Sequence, residues 1–104
     1  MRMQGRKVLI TGGASGIGLA SARRFVAEGA RVALLDRDAE GLATAARELG
    51  DAAISLRADV TIEAEVQKAV NEAAASLGGL DGLVNAAGIS IWRAFSVQES
   101  LLNF

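Results

Sequence analysis

Hydrophobic and polar positions follow two patterns that alternate along the chain. Short apolar runs stand at 7-KVLIT-11, 31-RVALL-35, 53-AISL-56 and 81-DGLVN-85. Each is too short for a helix and apolar enough for a strand covered on both faces. Between them lie longer segments rich in Ala, Glu, Arg and Leu. In the third of these, Val66, Ala69, Val70, Ala73, Ala74 and Leu77 recur at three- and four-residue steps, which predicts a helix over 62–77. Thr61 is placed to cap its start, Glu63 and Glu65 fall in its first turn, and Gly78 follows its end. Leu42, Ala45 and Leu49 share one face of a helix over 38–49, with Gly50 as the stop. A first helix over 16–28 ends at Gly29, and 96-SVQE-99 has the capping-box spacing that opens a last one.

The order is therefore β-α-β-α-β-α-β and the start of a helix. Strands joined by helical crossovers pair in parallel, and right-handed crossovers lead to an open, doubly wound α/β sheet. Residues 1–104 read as a single domain, with no linker, repeat or low-complexity segment beyond a general richness in alanine.

Composition narrows the chemistry. At 51% hydrophobic and 22% charged residues the chain can form a globular core. A net charge of -1, with 11 scattered basic residues, argues against nucleic acid or an acidic membrane surface as partner. After the basic start MRMQGRK only Val8, Leu9 and Ile10 precede Thr11. That run is shorter than a secretory core or a membrane span, so a cytoplasmic protein is expected. The chain has no Cys and no His. Disulfides and thiolate catalysis are excluded, and the commonest metal ligand and general base are missing, so no metal site is expected.

Gly12, Gly16 and Gly18 fall where the first strand turns into the first helix. In an open parallel sheet that turn borders the binding crevice. One glycine there permits the tight turn, one lets the backbone approach a pyrophosphate, and one lets the helix pack closely on the sheet. The N–H groups of Ser15, Gly16 and Ile17 would face the anion, helped by the helix dipole. A bare turn would carry the same glycines. The strand before, the helix after and an acid at the end of the next strand favour a nucleotide site. A P-loop is excluded, because Leu19 and Ala20 follow Gly18.

The acid is Asp36, whose carboxylate can accept from both ribose hydroxyls of an adenosine. It would also repel a 2′-phosphate. Two charges about 4 Å apart cost roughly 1 kcal/mol in water and about 4 at an effective dielectric of 20. This predicts NAD over NADP by roughly tenfold to several hundredfold. Arg37 beside it is either a phosphate-binding guanidinium or a solvated surface charge, and Asp36 outweighs it.

These residues resemble the short-chain dehydrogenase/reductase family. The string 11-TGGASGIG-18 is similar to its T-G-x-x-x-G-x-G fingerprint, and three further pieces follow in order. Asp36 matches the acid after the second strand, 59-DV-60 an adenine-contacting pair, and 85-NAAG-88 the N-N-A-G motif, with Ala86 at its second Asn. The resemblance implies a Rossmann-type doubly wound sheet, truncated here to about its first four strands. It implies that Gly12, Ser15, Gly16, Ile17 and Gly18 hold the pyrophosphate and Asp36 the ribose. Asp59 and Val60 would lie against the adenine, Asn85 would brace the central strands, and Ala87 and Gly88 would line the cofactor. Taken alone, Asp59 also reads as a helix N-terminal charge and Asn85 as a turn residue.

The family's catalytic Ser and Tyr-x-x-x-Lys are not matched: there is no Tyr, and the only lysines are Lys7 and Lys68. Asn103 falls too early after Asn85 for the family's catalytic Asn and reads as an ordinary helix residue. No catalytic residue is therefore assigned. The leading expectation is the NAD(H)-binding part of an oxidoreductase whose complete form acts on a small alcohol or ketone. The alternatives are a non-catalytic nucleotide-binding module or an inactive fragment. The last strand, 81–85, would form an open sheet edge, and a homo-oligomer stays open.

Overall fold

The computed structural model describes residues 3–14 and 16–86. Four strands, β1 (Lys7–Thr11), β2 (Arg31–Asp36), β3 (Ala53–Arg57) and β4 (Gly82–Asn85), form one sheet in the order β3-β2-β1-β4. All three pairings are parallel, with Leu9 opposite Ala33 on one side and Leu83 on the other. Helices α1 (Gly16–Ala27), α2 (Ala39–Leu49) and α3 (Glu63–Leu77) make the crossovers.

The central strands are apolar through their middles, Val8–Ile10 and Val32–Leu35, where both faces are covered. Alternate side chains of a strand point to opposite faces, and the core divides accordingly. Val8, Ile10, Val32 and Leu34 pack with Ala22 of α1 and with Leu42 and Ala45 of α2. Leu9, Ala33 and Leu35 pack with Val66, Ala69, Val70, Ala73 and Leu77 of α3. Leu9, Ile10, Leu34 and Leu35 are fully buried, and each contributes about 1.5–3 kcal/mol relative to an exposed side chain. The result is the expected three-layer, doubly wound α/β arrangement.

Several details differ from the sequence expectation. β2 continues to Asp36, which pairs with Arg57. Asp38 is the N-cap of α2, its Oδ1 accepting from the Gly41 N–H at 3.0 Å. A short 3₁₀ turn, Gly50–Ala52, separates α2 from β3. Thr61 does not cap α3. Ile62, which has no polar side-chain atom, occupies that position, and the Thr61 hydroxyl donates to Asp59 Oδ1 at 2.6 Å instead. Glu65 instead reaches back, its Oε1 accepting from the Asp59 N–H at 2.9 Å. Gly78 closes α3 as expected, its N–H bonded to the Ala74 carbonyl. The helix expected from 96-SVQE-99 lies outside the described residues.

Candidate functional site

Because the strands are parallel, their carboxyl ends share one edge of the sheet. The loops leaving β1, β2 and β3 meet there around a cleft of about 340 Å³. Gly12, Asp36, Arg37, Ala58, Asp59, Val60 and Thr61 line it. That volume is near the lower end for small-molecule sites.

The glycine loop is tied to β2 before it reaches α1. The N–H groups of Gly12 and Gly13 both donate to the Leu35 carbonyl, at 2.7 and 3.2 Å. Gly12 and Gly16 have φ of 69° and 56°, in the left-handed region that favours glycine. A Cβ on Gly16 would meet nothing within 4 Å, so the backbone there faces open space. At Gly18 the reason for glycine is different. A Cβ would lie 1.9 Å from the Gly12 carbonyl oxygen, so α1 packs directly on the turn that precedes it. Gly13 is hemmed in as well, its virtual Cβ 3.0 Å from Leu34 Cβ. The sequence offered only the Gly-Gly doublet as a signal for that role.

Asp36 sits at the junction of three loops. Its Oδ2 accepts from the Ala14 N–H and its Oδ1 from the Asp38 N–H, each at 3.1 Å. Its carbonyl accepts from the Ala58 N–H at 3.0 Å. A carboxylate offers about four acceptor positions, so two backbone donors leave capacity for a ligand's hydroxyls. Arg37 lines the cleft mouth, and its carbonyl accepts from Arg57 Nε at 3.2 Å.

On the opposite wall, Asp59 Oδ1 accepts from both the hydroxyl and the N–H of Thr61. The Thr61 hydroxyl foremost, then its amide, with Arg37 adding a favourable charge, hold the Asp59 carboxyl below the usual aspartate range. Asp59 thus shapes the turn that carries Val60 and Thr61 to the cleft. Val60 packs on the α3-side core and presents an apolar wall. Thr61, expected as a helix cap, lines the cleft instead, and so does Ala58, which carries no signal in the sequence.

Gly12, Asp36, Asp59 and Val60 are therefore brought together, while Gly16 and Ile17 stand at the start of α1. Ile17 is 77% exposed, an unusual state for a large apolar side chain at a helix start. Asn85 lies apart at the end of β4, where its Oδ1 is 3.2 Å from the hydroxyl of the fully buried Thr11. That hydroxyl also lies 3.3 Å from the Val84 carbonyl, so the two strands are tied side chain to backbone. Ser15, Ala87, Gly88 and Asn103 lie outside the described residues. Among the described residues no group of three or more acidic, His or Cys side chains could hold a metal, and no helix is long and apolar enough to cross a membrane.

Comparison with known proteins agrees with this geometry. The family model for short chain dehydrogenases matches residues 6–101. An uncharacterised oxidoreductase of Mycobacterium bovis is 48% identical over 90 residues, covering 85% of this chain and 36% of the relative. Cis-2,3-dihydrobiphenyl-2,3-diol dehydrogenase of Paraburkholderia xenovorans is 45% identical over 89 residues, covering 86% and 32%. Among solved structures, 3-ketoacyl-(acyl-carrier-protein) reductase of Brucella melitensis, complexed with NADH, superposes with a TM-score of 0.76 at 43% identity. That match covers 78% of this chain and 33% of the reductase. The chain thus spans about a third of the length of these proteins.

Proposed function

The chain belongs to the short-chain dehydrogenase family, and from that premise we propose that it holds the adenosine and pyrophosphate side of an NAD site. In the proposed activity, hydride passes between the nicotinamide and an alcohol or ketone carbon. The observation that carries the reading is the Asp36 carboxylate beside Gly12, with acceptor capacity left over and an apolar wall at Ala58 and Val60.

The residues present fit such a ligand. A flat base suits the space between Val60 and the end of β2, and ribose hydroxyls can donate to Asp36. The backbone at Gly16 faces open space, which leaves room for a pyrophosphate. The first N–H groups of α1 have no partners within the helix and carry the positive end of its dipole. Ser15, Ile17, Ala87 and Gly88 complete the proposed contacts, and Asn85 acts through its hold on Thr11. When bound, the dinucleotide supplies the hydride donor or acceptor.

This chain's own residues bind and orient rather than move protons. With no tyrosine and no histidine in the sequence, we place proton transfer to the substrate outside its repertoire, and expect no turnover from these residues alone. Asp36 makes NAD the preferred ligand over NADP through charge repulsion of a 2′-phosphate. Calorimetric titration with NADH and NADPH tests the site and its preference. Binding of NADH at least tenfold tighter is expected; equal or tighter binding of NADPH would overturn the assignment.

A further inference from the structure

Gly41 is the third residue of α2, a position where glycine is among the poorest helix formers. Its backbone is not left-handed, so conformation does not demand glycine there. Space does. A Cβ at position 41 would lie 2.9 Å from the Cβ of Ala14, in the glycine loop, and 2.6 Å from Asp38 Oδ2. Ala14 is buried at this contact, and its N–H is the one that Asp36 Oδ2 accepts. The Asp36 carboxylate also holds the Asp38 N–H, and Asp38 in turn holds the Gly41 N–H. The glycine loop, the end of β2 and the first turn of α2 therefore form one closed circuit.

We propose that Gly41 is a positioning residue for the nucleotide site: its missing side chain lets α2 seat against Ala14 and keeps the Ala14 amide on the Asp36 carboxylate. A side chain at 41 pushes the loop away from β2, which displaces the Gly16 and Ile17 amides and changes the direction of the Asp36 carboxylate together. The inference rests on the NAD-site reading for its effect on affinity, but its structural claim does not. A competing account is that glycine at 41 only makes room for the Asp38 cap, which would leave Ala14 out of it.

The test uses the 104-residue chain, the variants Gly41→Ala and Ala14→Gly, and the double variant. Hydrogen exchange of the position-14 amide, followed by NMR without ligand, reports the bond to Asp36. NADH titration reports the site. Gly41→Ala is expected to speed exchange at position 14 and to weaken NADH on the order of tenfold, below the roughly hundredfold loss that a full 1 Å misplacement can bring. In the Ala14→Gly background the same substitution should change both readouts much less, because the opposing Cβ is gone. Unchanged exchange in Gly41→Ala, or an equal effect in both backgrounds, overturns the positioning role. A wild-type chain that fails to bind NADH refutes the NAD reading instead, and the exchange data still decide the role of Gly41.

Discussion

Replacing Gly18 with Ala should be the most damaging single-methyl change in the glycine loop. The added Cβ would stand 1.9 Å from the Gly12 carbonyl oxygen and 2.6 Å from the carbonyl carbon. Ordinary contact begins at 3.4 Å, so α1 and the turn must separate by about 1.5 Å. Neither side yields readily. The Gly12 N–H is bonded to Leu35 at 2.7 Å, and α1 is anchored through buried Ala22. Overpacking against movable side chains costs about 1–3 kcal/mol, and backbone on both sides places this case at about 3. Against a total of roughly 5–15 kcal/mol that is a large share. For a chain of this size it corresponds to a Tm fall of about 12–24 °C. Urea denaturation followed by circular dichroism, with an unchanged m-value, measures it. Gly16→Ala is the internal comparison. Its Cβ meets nothing, so only the left-handed backbone is penalised, at about 1–2 kcal/mol. If Gly18→Ala were no more costly than Gly16→Ala, the close-packing account of Gly18 would be wrong.

Three further substitutions probe the site. Asp36→Ala should narrow the preference for NADH over NADPH by roughly tenfold or more and lower stability by about 1–3 kcal/mol, because the Ala14 and Asp38 amides lose their acceptor; paired titration and urea melts read the two effects. Thr61→Val should raise the titration of the Asp59 carboxyl toward its ordinary value, since the Thr61 hydroxyl is the largest cause of its depression. The carboxyl ¹³C shift followed against pH checks this. The sign follows from linkage: a depressed carboxyl stabilises the fold above its unfolded pKa, and that contribution is lost as pH falls through the folded value, so the variant should lose less on acidification. Thr11→Val should cost about 1 kcal/mol, because a buried hydroxyl that serves Asn85 and Val84 is removed; equal urea midpoints would show that the tie between β1 and β4 contributes nothing.

The sheet was legible because its signals are local. Four apolar runs, three periodic helices and stops at Gly50 and Gly78 each lie within one window of sequence, and the parallel pairing follows from the crossovers between them. The glycine spacing and Asp36 could be placed at one edge for the same reason. What escaped depends on partners far apart in the chain. Thr61 looked like a cap until Asp59 was seen to take its hydroxyl. The double use of Asp36 required Ala14, 22 residues earlier, to arrive beside it. Gly41 carries no signal in the local pattern, because its reason, the Cβ of Ala14, is supplied by tertiary packing. The 3₁₀ turn after α2 left no periodic trace, being only three residues long.

The odd-even division of the core along β2 constrains how this chain can change. Val32 and Leu34 face one set of helices, Ala33 and Leu35 the other, and Asp36 is reached by continuing that alternation. Its address is therefore a parity. Substitutions that keep residue size are tolerated by such a strand, but deleting one residue between Arg31 and Asp36 would exchange the two faces. The acid would then leave the glycine loop although the acid itself was retained. A change of length is therefore expected to be tolerated outside the strand, as at the turn Gly50–Ala52, and the proposed ligand preference would depend on the strand's length as well as on the acid.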